Sequence, residues 1–286
     1  MSLRLEHVSY IYEADTPMEK RALEDISLQV EKGEILAIIG ATGSGKSTLI
    51  QLMNGLNRPS SGKVFFADED IFSEKYDRKA LRSKVGLVFQ YPEYQLFETD
   101  VLKDICFGPR NQGLSEDACL ARARKAMAEL GLGLEYETLS PFDLSGGEKR
   151  RVAIAGVLAM EPEILILDEP AAGLDPEGKR DLFRKLQSLR REQGIGIVLV
   201  SHSMEDVALL ADRIIVLEKG KILARGSVRE VFSQAELLNG TGLSLPLMSR
   251  LWEELKKRGF PVQGQALSVE EAKDNILAVL KERGHV

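Results

Sequence analysis

Two short stretches of the chain are suited to holding an anion. Gly40, Ala41, Thr42, Gly43, Ser44, Gly45, Lys46, Ser47 and Thr48 spell GATGSGKST between an apolar run and a helical pattern. This is the G-x-x-x-x-G-K-[ST] spacing in the strand, loop and helix setting of a polyphosphate cradle. Its glycines let the backbone curl until N–H groups face the anion. Lys46 then reaches the β- and γ-phosphates, and Ser47 is placed to ligate Mg2+. The second stretch, FDLSGGEKRR from Phe142 to Arg151, puts a serine and two glycines at the start of another helical pattern. A helix N-terminus presents free N–H groups and the positive end of the dipole, so it too attracts an anion.

Other candidate groups end apolar runs. ILILDEP puts Asp168 and Glu169 where a buried strand would stop. Acids at that edge of an α/β sheet face the ligand crevice. Asp168 suits the Mg2+ shell, and Glu169 suits a general base that polarises an attacking water. The competing reading makes the two acids caps for the next helix. His202 follows VLVS and is expected at the same edge, against a γ-phosphate. Gln90 ends VGLVFQ, and its amide can hold water or Mg2+ where that strand meets the next segment.

The elements that must position these groups follow from pattern. EILAIIG (Glu34–Gly40), VGLVFQ (Val85–Gln90), EILILDEP (Glu163–Pro170), GIGIVLVSH (Gly194–His202) and RIIVLEKG (Arg213–Gly220) read as strands of a parallel sheet buried on both faces. Helical stretches such as Ser115–Leu130 and Pro176–Gly194 lie between them, which implies βαβ units. LRLEHVSYIY, ALEDISLQVEKG and GKVFFADEDI alternate more strictly and predict a small N-terminal antiparallel sheet. Tyr91 to Leu144 breaks the rhythm and reads as a helical insertion. Two amphipathic helices follow Phe232, the second opened by Ser268 and Glu271 in capping-box spacing. LNGTG (Leu238–Gly242) marks the expected boundary between residues 1–235 and an extension over 236–286.

Composition narrows the class. The 286 residues are 44% hydrophobic and 29% charged with a net charge of −6, an ordinary globular balance that argues against nucleic acid as the main partner. Cys106 and Cys119 are too far apart for a CxxC pair, and three histidines are too few for a zinc site. No apolar run reaches the ~18 residues of a membrane span, and the N-terminus does not read as a signal peptide. Any work at a membrane would need spans supplied by another protein.

Taken in order, these motifs resemble the nucleotide-binding subunits of ATP-binding cassette transporters, over about residues 3–232. LSGGE (Leu144–Glu148) is similar to that family's signature, and AGLDP (Ala172–Pro176), with Asp175, to its D-loop. The resemblance implies a RecA-like P-loop NTPase core, ATP and Mg2+ as ligands, and His202 as the switch histidine. It places Tyr12 under the adenine, although Tyr10 would share its face of a strand. It also implies two chains paired head to tail, with Ser145, Gly146, Gly147 and Glu148 of one completing the Lys46 site of the other.

A narrower likeness lies in VFQYPEYQLFETDVLKDICFGPRNQGLSED (Val88–Asp117), in AGVLAMEPE and in the tail. These are similar to the ATPases of energy-coupling factor importers for vitamins and metal ions. That likeness implies a second ATPase, a membrane-embedded scaffold and a substrate-specific membrane protein, with the chain peripheral on the cytoplasmic face. Tyr94, Leu96 and Phe97, with Glu93 and Glu98 at the rim, are expected to form an exposed groove for a scaffold helix. The rivals are the ATPase of another importer type, a non-transport cassette, and a P-loop kinase or GTPase. The last would lack LSGGE, and a chromosome-type cassette would need long heptad segments that are absent here.

Overall fold

The computed structural model describes residues 2–262 and 264–282. Residue 1 of the expected cassette, and residues 263 and 283–286 of the expected extension, lie outside the described residues. The chain opens with β1 (Ser2–Tyr12) and β2 (Lys20–Glu31), passes through β3 (Ile35–Ile39) and α1 (Lys46–Met53), and returns with β4 (Ser61–Phe66) and β5 (Glu69–Asp70). Strands in the order β2-β1-β4-β5 make a four-stranded antiparallel sheet. Leu23, Ile26, Leu28 and Val30 of β2 point inward with polar residues between them, the period-two pattern of a sheet with one wet face.

After α2 (Arg78–Lys84) and β6 (Val85–Val88) comes the insertion. It holds α3 (Val101–Asn111) and α4 (Glu116–Glu129) and leads into α5 (Gly146–Leu158). Strand and helix then alternate through β7 (Ile164–Asp168), α6 (Pro176–Gln193), β8 (Gly196–Val200), α7 (Met204–Leu210) and β9 (Arg213–Glu218). A final strand, β10 (Lys221–Ser227), turns back antiparallel at the edge. The second sheet runs β10-β9-β3-β8-β7-β6, and its strands from β9 to β6 are parallel. Every residue of β3, β7 and β8 is buried, as strands covered on both faces must be. The ends of these strands define one edge, and the candidate residues follow them.

One apolar cluster lies between the two sheets and around α1, and a second packs α3, α4, α5 and α6 onto the opposite face of the parallel sheet. A third joins Ala37 and Ile39 of β3 to α7 and to α8 (Val228–Phe232), and it also takes in Leu238, Leu243 and Leu245. The packing on the core therefore continues past residue 235 to Leu245. Helix α9 (Ala235–Gly240) and the LNGTG link belong with the core. Helices α10 (Leu247–Lys257) and α11 (Val269–Glu282) gather around a small cluster of their own, Trp252, Val262, Ala266 and Ala272, and join the cassette through Leu267 and the Arg229–Glu271 pair. Trp252 faces α11 and is fully buried, while Leu247 and Leu251 remain exposed. Helix α11 is capped by Ser268 Oγ at 3.1 Å from the Glu271 N–H. The Glu271 carboxylate turns instead to the Leu267 N–H and to Arg229.

Candidate active site

The cradle starts where β3 stops. At Gly40 any Cβ would collide with the Leu217 carbonyl oxygen, so only glycine lets the loop pass this close to β9. Gly45 caps α1 with φ 107°, a left-handed backbone, and uses no side chain to satisfy the helix N–H groups. Those N–H groups stay available to an anion. Lys46 lies across the loop mouth, its ammonium 2.7 Å from the Gly40 carbonyl oxygen and 3.0 Å from that of Ala41. Burial lowers its pKa, against the opposing pull of Glu169 and Asp168. Ser44 Oγ is buried with no hydrogen-bond partner, a polar group the fold itself leaves unanswered.

The acids sit opposite. Asp168 is the last residue of β7, paired with Val200 of β8, and is almost fully buried. Burial, and then the charge of Glu169, raise its carboxyl to about 6. Glu169 takes a left-handed backbone, φ 50°, with its N–H donating to the Val200 carbonyl oxygen at 2.9 Å. That conformation is uncommon for a residue with a Cβ, and it sits at the turn into the cleft. Glu169 Oε1 lies 2.7 Å from Nδ1 of His202, whose ring is mostly exposed. The aromatic at the far end is Tyr12, whose hydroxyl is 3.0 Å from Thr48 Oγ1. Its ring meets Tyr10 edge-on at 4.8 Å, but Tyr10 packs toward the core and Tyr12 lines the cleft.

A cleft of about 760 Å³ thus gathers Tyr12, the loop from Gly40 to Thr48 except buried Ser44, Gln90, Asp168, Glu169 and His202. The signature is elsewhere. Ser145, Gly147 and Glu148 share a separate cleft of about 330 Å³ with Asp175 and Gly173. Ser145 caps α5 in a full capping box with Glu148, whose other oxygen accepts from the Tyr136 hydroxyl at 2.7 Å. Gly146 is exposed beside them.

A model of the family described as ABC transporter matches residues 23–172. An energy-coupling factor transporter ATP-binding protein EcfA2 of Caldanaerobacter subterraneus subsp. tengcongensis is 52% identical over 98% of both chains. Its namesake in Clostridium tetani is 48% identical over 99% of both. The chain belongs to the ABC transporter family. Within it, this cassette is an ATPase subunit of the energy-coupling factor type. Among solved structures it is similar to cbiO1 from Clostridium perfringens, described as part of the ABC transporter complex cbiONQ. That likeness has TM-score 0.74 and 38% identity, over 88% of this chain and 98% of that one. It is also similar to the cassette MJ0796, solved as a dimer bound to ADP and Pi. There the TM-score is 0.70 and the identity 27%, over 79% and 99% of the two chains.

The insertion corrects one expectation. Leu96 is only 7% exposed and joins the core around α3 and α5. Glu93 is no free rim acid either: both its oxygens accept from Nη2 of Arg150, at 3.1 and 3.2 Å. Tyr94 (84% exposed) and Phe97 (55%) do face outward, with Tyr91 and Phe107 beside them. The Glu98 carboxylate has no partner among the described residues, and Asp104 is occupied by the N–H groups of Phe97 and Glu98. The sequence reading missed Arg150 and the cleft wall made by Gly242, Leu243 and Ser244. The position of Arg150, two beyond a capping-box glutamate, gave no local sign that it would be buried.

Proposed function

We propose that ATP binds in the Lys46 cleft together with Mg2+, and that its hydrolysis drives import through membrane partners. Lys46 and the α1 N–H groups hold the β- and γ-phosphates, and Tyr12 lies under the adenine. Ser47, Gln90 and Asp168 offer the all-oxygen set that a hard cation takes. Two acids side by side in a buried edge, facing one lysine, also fit a divalent charge. The ion supplies charge neutralisation on the phosphate oxygens when bound. Glu169 accepts the proton of the attacking water, and His202, hydrogen-bonded to Glu169, holds that carboxylate toward the γ-phosphate. The glutamate's left-handed turn fixes its direction before the substrate arrives.

One observation carries the pairing. The Lys46 cleft contains no signature residue, and Ser145 with Asp175 occupies a cleft of its own. A head-to-tail dimer brings Ser145, Gly146, Gly147 and Glu148 of one cassette to the γ-phosphate held by the other. The dimeric form of MJ0796 supports this reading. The second cassette is a copy or a paralogue. The other partners are a membrane-embedded scaffold, which docks on Tyr94 and Phe97 with a basic residue toward Glu98, and a substrate-specific membrane protein. The cbiONQ complex of cbiO1 supports an assembly of this kind, with the chain peripheral on the cytoplasmic face.

Complementation tests it. A Lys46→Ala chain and a Ser145→Arg chain should each be inactive alone. Mixed, they form one dimer site with an intact cradle and an intact signature, so hydrolysis should return. A mixture that stays inactive would mean that the signature serves its own chain.

A further inference from the structure

The buried guanidinium of Arg150 joins three parts of the cassette that the reaction must coordinate. Arg150 lies on α5, five residues beyond Ser145, and is 3% exposed. One of its nitrogens, Nη2, donates to both oxygens of Glu93, in the turn that carries exposed Tyr91 and Tyr94. The other, Nη1, donates to the carbonyl oxygens of Pro170, at 3.3 Å, and Ala172. Those carbonyls belong to the turn between Glu169 and Asp175, where the Ala172 N–H also donates back to the Glu169 carbonyl oxygen at 3.2 Å.

A charge this deeply buried needs its counter-charge, and Glu93 is the only carboxylate paired with it among the described residues. A planar guanidinium can serve the carboxylate and the two carbonyls at once, whereas an ammonium has neither the fork nor the reach. The three segments therefore cannot shift independently. Movement of the Glu93 turn pulls on Arg150, and Arg150 pulls on the backbone that begins one residue after Glu169.

We propose that Arg150 is a positioning residue for ATP hydrolysis: paired with Glu93, it sets the Pro170–Ala172 turn behind Glu169 and ties that turn to the docking surface. The link to docking rests on the scaffold contact proposed above; the positioning role does not.

Arg150→Lys and Glu93→Gln test the positioning role in the soluble chain, with kcat and KM for ATP measured separately. Each should lower kcat at least ~10-fold and leave KM within ~2-fold, because neither side chain lines the Lys46 cleft that binds ATP, although Arg150 borders the signature cleft. A purely structural role predicts that the charge-conserving lysine restores kcat along with the melting temperature. That rescue, or kcat within ~2-fold of the native chain in both variants, would overturn the proposal. The double variant Tyr94→Ala with Phe97→Ala separates the docking reading. It should keep the soluble kcat and lose co-purification with the membrane protein. Retained co-purification would sink the docking surface and leave the Arg150 result standing on its own.

Discussion

The N-termini of α1 and α5 are both suited to phosphate, yet they are prepared in opposite ways. Gly45 leaves the first N–H groups of α1 without a side-chain acceptor, and Lys46 stands beside them with a positive charge. At α5 the fold has already answered itself. Ser145 Oγ donates to Glu148 Oε2 at 2.6 Å and accepts from the Glu148 N–H, while the same carboxylate takes the Ser145 N–H at 2.8 Å. The Ser145 hydroxyl, then that of Tyr136, hold the Glu148 carboxyl below the usual carboxylate range. A phosphate that takes the Ser145 hydroxyl must reopen a capping box, which costs on the order of 1 kcal/mol, and it approaches a carboxylate. The first device binds an anion on its own. On the head-to-tail reading proposed above, the second contributes only once a phosphate is already held, so nucleotide binding would precede pairing.

The largest effect should come from breaking the second device alone. Ser145→Arg should abolish ATP-driven dimerisation in analytical ultracentrifugation while the monomer keeps its ATP affinity within ~2-fold. Equal loss of both would merge the two devices into one site. Next, Glu169→Gln should leave ATP binding intact and cut turnover at least ~10²-fold, as loss of a placed general base does. It should also trap the ATP-bound dimer, and near-normal turnover would remove Glu169 from the role.

A smaller effect concerns stability. A buried acid whose pKa is raised in the fold is tolerated while neutral. Its contribution is fully present below about pH 4 and is lost as pH rises through about 6. Asp168→Asn should therefore stabilise the nucleotide-free chain at pH 8 by roughly 2 kcal/mol once water in the open cleft is allowed for. At pH 4 it should change almost nothing. Urea unfolding at the two pH values checks this, and an equal gain at both would assign the effect to something other than charge. Smallest of all, Glu148→Ala should cost about 1 kcal/mol through loss of the box at α5, with no change in monomer ATP affinity. A fall in that affinity would contradict the separation of the two ends.

The cradle and the acids were legible in the sequence because their chemistry is local. Lys46 is fixed by its own loop, and Asp168 and Glu169 by the strand they end. Leu96 and Glu93 were misread because their burial is decided by α5, more than fifty residues further along the chain. An apolar residue beside acids looks like a rim until the helix beneath it is known. Trp252 on amphipathic α10 shows the same limit: α11 covers it, and single-helix periodicity does not say which neighbour a face meets. The antiparallel β10 was passed over because an edge strand that alternates exposed and half-buried residues lacks the apolar run that betrayed the inner strands. Leu243 and Ser244 carried no motif and Gly242 was read only as the end of a boundary link; they entered the cleft through packing of Leu243 and Leu245 on the core.

With ATP in the Lys46 cleft as proposed, that last segment would link nucleotide occupancy to the order of the tail. A nucleotide that gains or loses contact with Gly242, Leu243 or Ser244 changes how tightly residues 238–245 are held, and linkage makes the exchange reciprocal. The Leu247 N–H, 3.2 Å from Glu205 Oε1 on α7, continues the same connection toward α10. A partner that displaces α10 is therefore expected to shift ATP affinity through this segment. Amide exchange along residues 238–247 becomes a reporter of the nucleotide state, with no label placed in the active site.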